Sequence, residues 1–114
     1  MHNSTPLLAL SILAIGAITA HRFVTPAGDV AAVAGVNTQG IAQSDAAIGE
    51  RFTATVIGTE VVEAGAAIAA GALIETDATG RATTHSTGVA VARLAPGESA
   101  VAAGEFVEVI LFAN

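Results

Sequence analysis

Period-two alternation of apolar and polar positions marks two stretches most clearly. Residues 52–57, FTATVI, alternate apolar side chains with threonine, which predicts a half-buried strand that Gly58 is expected to end. Near the C-terminus, residues 105–112, EFVEVILF, predict a second. Val107, Val109 and Leu111 share one of its faces, and Phe106, Glu108 and Ile110 share the other. Between these two, residues 61–82 are paced by Gly65, Gly71 and Gly80. Ile68 is the lone large apolar anchor of that segment. Leu73 and Ile74 open a strand running to Asp77, and Asp77-Ala78-Thr79-Gly80 has Asp and Gly at the two ends of a type I turn. A helix over this alanine-rich stretch would carry two glycines, each costing roughly 1 kcal/mol in a helix interior.

Taken in order, the rest of the chain continues the same short-strand rhythm. Residues 1–13 are read as an extended N-terminal arm and 14–114 as a β-rich domain, with a first strand near 16–25. Pro26-Ala27-Gly28-Asp29 is a turn, 30–36 and 40–43 are short strands, 88–94 is another, and Ala95-Pro96-Gly97-Glu98 is a further turn. Residues 99–103 have the composition for one helical turn. Short strands with turn signals roughly every ten residues predict an all-β fold, a small barrel or sandwich.

The apolar run over 7–20 resembles a secretory signal in part. It lacks a basic start and a small-x-small cleavage site, and it falls short of the about 20 apolar residues of a membrane-crossing helix. Leu7, Leu8, Leu10, Ile12 and Leu13 are too apolar to stay free in water, so the arm is expected to be buried against a partner.

Composition narrows the chemistry. The 114 residues are 53% hydrophobic but only 4% aromatic, so the core must be built from Ala and Val and is expected to need association. A net charge of -6 argues against a grip on nucleic-acid phosphates. No lysine is present, which excludes Schiff-base chemistry and a lipoyl or biotinyl carrier. No cysteine is present either, which excludes a thiol nucleophile, a disulfide framework and a thiolate metal site. Without Trp or Tyr there are few stacking platforms.

No catalytic, cofactor-binding or metal constellation emerges. His85 and Ser86 are adjacent, so on a strand they would point to opposite faces. The carboxylate pairs Asp45 with Glu50 and Glu75 with Asp77 lack the alternating ligands of a calcium loop. Arg22, Arg51, Arg81 and Arg93 stand isolated in apolar or threonine-rich stretches, where a guanidinium suits bidentate pairing with carboxylates.

The order of GAITAHRFVTPAGDVAAVAG, GIAQSDAAIGERFTATVIG, VEAGAAIAAGALIETDATGRA, GVAVARLAPGES and AAGEFVEVILF, over about residues 15–112, resembles the capsid cement or head-decoration family of tailed bacteriophages. That resemblance implies an all-β, β-tulip-like domain with an extended N-terminal arm, no enzymatic activity and no cofactor. It implies partnership with the major capsid protein and with itself, as a homotrimer, and neither nucleic acid nor membrane as a partner. The expected location is the outer surface of the virion capsid, with assembly in the host cytoplasm. Contact to shell or neighbouring subunit is assigned to Leu7, Leu8, Leu10, Ile12, Leu13, Arg22 and Arg51. The alternative is a secreted or periplasmic β-domain that binds a small ligand.

Overall fold

In the computed structural model, which describes residues 4–112, the strands follow in the order β1 (Thr5–Leu13), β2 (Phe23–Val24), β3 (Gly40–Ala42), β4 (Arg51–Glu63), β5 (Leu73–Thr76), β6 (Ala82–Thr84), β7 (Ala92–Leu94) and β8 (Phe106–Leu111). There is no helix among the described residues. Paired strands are antiparallel, in the order β2-β3-β4-β8-β7-β5-β6, with β1 added to β4. Thr59 of β4 lies opposite both Thr5 of β1 and Ile110 of β8, so β1 occupies one edge of β4 while β3 and β8 share the other. The ends of the sheet curl together. Phe23 N donates to Gly80 O at 2.7 Å, Glu63 N to His21 O at 2.9 Å and Gly65 N to Ala82 O at 2.8 Å, leaving a nearly closed barrel.

Inside the barrel, Val107, Val109 and Leu111 point inward as their alternation predicts, and they join Phe23, Ile41, Val62, Ile68 and Ile74 in the main core. A second cluster, with Ala42, Phe52 and Ala54 at its centre, lies on the opposite side of the β3–β4 pair and is closed by Ala14, Ile18 and Val24. Adjacent residues of β3 show the division, since Ile41 faces one cluster and Ala42 the other.

The strand starting at 52 does not stop at Gly58. It runs on to Glu63, because Gly58 at φ 110° lets the backbone swing from its pairing with β1 to its pairing with β8. Two register shifts accompany this: β1 has an extra residue at Leu7 and β4 one at Val56. Residues 16–25 yield only the two residues of β2, since His21 takes φ 63° and breaks the extended chain. Residues 30–36 form a loop. Gly35 N donates to Thr76 O and Gly35 O accepts from Val89 N, which ties the loop across the barrel and shortens the expected strand at 88–94 to Ala92–Leu94. Residues 99–103 do not turn helically; instead Ala100 bridges Ile68.

The N-terminal segment also departs from expectation. Residues 1–3 lie outside the described residues, and Thr5–Leu13, expected as an arm buried against a partner, stay exposed apart from half-buried Ile12. They form β1, hydrogen-bonded along β4 over most of its length.

Candidate functional site

Eight of the nine residues of β1 are exposed and Ile12 is half-buried, packed against the second core cluster. The strand is held by backbone pairing, since few of its side chains find apolar neighbours. Leu7 is 76% exposed, as befits the residue that bulges out of register. Antiparallel partners share a face, so Leu10 and Ile12, opposite Ala54 and Phe52, lie on the outer side of the sheet. Ala9, Ser11 and Leu13, opposite Thr55, Thr53 and Arg51, lie on the inner side. The structure therefore brings Leu7, Leu8, Leu10, Ile12, Leu13 and Arg51 onto one two-stranded ribbon. No residue of β1 carries a charge, and Arg51 is the cation at its end.

Arg22 is placed elsewhere, against the last residue of β4. Its Nη2 donates to Glu63 Oε1 at 3.2 Å, and its Nη1 to Thr79 O at 3.3 Å. Arg81 Nη1 meets the other Glu63 oxygen at 3.4 Å, and Arg81 Nε lies 3.7 Å from Asp77 Oδ2. One half-buried carboxylate thus gathers two guanidiniums where the β2 and β6 regions close the barrel. Replacing Glu63 with Ala leaves both cations without their shared anion, and we expect a loss of about 1–2 kcal/mol of stability, read by thermal melting. The all-β far-ultraviolet spectrum should be unchanged.

The remaining candidates serve the fold. Asp45 Oδ1 accepts from Ala20 N at 2.7 Å, and Glu50 Oε1 from Ala47 N at 2.8 Å. Buried Glu75 Oε1 accepts from Ser86 N at 2.7 Å and Gly88 N at 3.1 Å, fixing the loop after β6. Asp77 Oδ1 accepts from Thr79 N and Arg81 N, stabilising the predicted turn. His85 follows β6 and its Nε2 pairs with Gly88 O at 2.9 Å, while the His21 ring stands edge-on to Phe106 at 5.5 Å. No group of three metal-ligating side chains gathers among the described residues. Sequence reasoning missed one polar chain that runs from exposed Gln43 to two buried residues: Gln43 Nε2 donates to Thr55 Oγ1 at 2.8 Å, and Thr55 Oγ1 donates to Glu60 Oε1 at 2.6 Å. It connects the two halves of β4 inside the barrel.

Residues 12–111 match the family model of the phage cement protein. This chain belongs to the phage cement protein family. Among solved structures, it is similar to the N base of the head fiber gp8.5 of bacteriophage phi29, at 18% identity and a TM-score of 0.73, covering 92% of this chain and 93% of that one. At that identity the likeness establishes the shared barrel fold. The sequence matches none of the curated proteins it was compared with. As a cement protein, the chain is a structural component of the phage head with a capsid decoration role, and the reading as a secreted ligand-binding domain is not favoured.

Proposed function

We propose that this cement protein sits on the outer surface of the phage head, bound to the major capsid protein as a homotrimer, and clamps neighbouring shell subunits without catalysing a reaction. The observation that carries this reading is β1: nine uncharged residues, five of them large and apolar, held at the edge of β4 with all but half-buried Ile12 exposed. An unprotected apolar edge strand is a surface for association. Leu7, Leu8, Leu10, Ile12 and Leu13 supply contact to the shell or to a neighbouring copy, and Arg51 and Arg22 supply charged points near the two ends of β4. A surface of this kind acts through geometry and burial.

Purified protein added to undecorated mature capsids is expected to bind at saturable, symmetry-related sites and to raise the temperature at which the shell comes apart. Each bound copy links adjacent subunits, so opening the shell must also break the link. Calorimetry of capsids titrated with protein checks this. Saturation with no shift in shell melting separates mere binding from cementing.

A further inference from the structure

The two halves of the chain repeat one another. Ala14 N donates to Glu50 O at 2.8 Å and Gly49 N to Ala14 O at 2.9 Å; in the second half Ala64 N donates to Glu105 O at 2.7 Å and Gly104 N to Ala64 O at 2.8 Å. Ile18 and Ala46 exchange both backbone hydrogen bonds, and so do Ile68 and Ala100. The turn closed by Thr25 N and Asp29 O at 2.8 Å returns between Asp77 N and Arg81 O at 2.8 Å, with a left-handed glycine fourth in each, Gly28 and Gly80. Strand pairing follows the same correspondence. Phe23 opposite Ile41 returns as Leu73 opposite Arg93, Ala42 opposite Ala54 as Leu94 opposite Val109, and Ile12 opposite Phe52 as Val62 opposite Val107. Every buried member of the second core cluster has its counterpart in the main core, from Ala14 and Ala64 to Ala54 and Val109. In sequence, Ala17-Ile18 answers to Ala67-Ile68, and Ala47-Ile48-Gly49-Glu50 to Ala102-Ala103-Gly104-Glu105. His21, the one described residue other than glycine at positive φ (63°), stands where the second half has Gly71 (77°), so the repeat accounts for a conformation that a histidine seldom takes.

We propose that the barrel is one structural unit of about 50 residues used twice in tandem, over 5–57 and 58–112 and fused within β4, and that β1 is the closing strand of this unit left unlocked. The counterpart of β1 is the second half of β4. There Glu63 N donates to His21 O at 2.9 Å, the Glu63 carboxylate holds Arg22 and Arg81, and Val62 is fully buried. In the first unit Leu13 stands at the place of Glu63 and is 49% exposed, and Leu10 stands at the place of buried Glu60 and is 40% exposed. Pairing to β4 and the half-buried Ile12 hold β1. The strand therefore opens and recloses while the barrel stays folded, which puts its apolar side chains on a movable element.

A turn exchange in the full chain tests the repeat. Residues 25–29 are replaced by the sequence of 77–81, DATGR, in frame, and in a control the same five residues replace 26–30. In frame, glycine stays at 28 and the new aspartate and arginine can pair as Asp77 and Arg81 do at 3.7 Å, so melting should stay within about 5 °C of wild type. Out of frame, threonine falls on Gly28, where φ is 107° and a Cβ would stand 2.5 Å from Leu13 O, and melting should fall by about 10 °C or more. The double variant Thr25→Asp, Asp29→Arg makes the exchange if the five-residue graft fails to fold. In-frame exchanges that melt as low as the control overturn the repeat. Native-state hydrogen exchange of the wild type tests the strand: amides of Ser11–Leu13 should exchange at least about 100-fold faster than those of Val61–Glu63, with the amides of Ala14, Ile18 and Ala46 protected as are those of Ala64, Ile68 and Ala100. Equal protection of the two strands overturns the unlocked β1, and free exchange at Ala14, Ile18 and Ala46 overturns the repeat.

Discussion

Replacing Gly40 with alanine is expected to lower stability by about 3 kcal/mol or more, a drop of roughly 10–20 °C in melting temperature for a domain of this size. A Cβ at Gly40 would stand 2.2 Å from the carbonyl oxygen of Thr55 and 3.0 Å from its carbon, and backbone on a paired strand cannot swing aside as a flexible side chain would. Relief requires β3 to pull away from β4, yet Ile41 and Ala42, the next two residues, reach into the two core clusters from opposite faces. Both clusters are therefore strained by one methyl group. Gly16→Ala is the matched control: its Cβ would meet Asp29 Cβ at 3.5 Å, ordinary contact, and its melting temperature should stay near wild type. Equal melting of the two variants would show that β3 is loosely held.

The contrast with Gly58 explains which parts of the fold were legible in sequence. Alternation located β8 correctly and assigned its faces, because Val107, Val109 and Leu111 are large enough to declare an inward side. The Asp77 turn and the Ile68 anchor were equally plain, being local chemistry. Gly58, read as a strand end, is a bend within β4, since whether a glycine stops a strand or redirects it depends on neighbours distant in sequence, here β1 and β8. Similarly, residues 30–36 carry strand-like valines, but Val33 is 62% exposed and the segment is held as a loop by Thr76 and Val89.

The candidate surface was legible in composition and hidden in geometry. Five large apolar residues before Ala14 announced that the segment needs cover, and β4 supplies a pairing edge without supplying that cover. The Arg22–Glu63–Arg81 cluster depends on closure of the barrel, which joins residues far apart in the chain.

Deleting residues 1–13 is expected to leave a folded barrel that no longer assembles or protects capsids. The cut falls before Ala14, which is buried and donates to Glu50 O at 2.8 Å, so the second cluster keeps its lid. What β1 gives to the fold is backbone pairing along Arg51–Thr59 and the half-buried Ile12. Net hydrogen bonds of roughly 0.5–1.5 kcal/mol each are largely offset by the roughly 1–2 kcal/mol per residue needed to order the strand. The truncated barrel should therefore melt only modestly lower, with a loss of about 1–3 kcal/mol and an unchanged all-β spectrum. Assembly has no such offset. The deletion removes Leu7, Leu8, Leu10, Ile12 and Leu13 together, and each large apolar side chain contributes about 1.5–3 kcal/mol when fully buried in a contact. Self-association and the heat protection of decorated capsids should both vanish, measured by native mass and by shell calorimetry on the same preparation. A truncated chain that unfolds would make β1 part of the core, and one that still protects capsids at wild-type affinity would move the working surface to the loops.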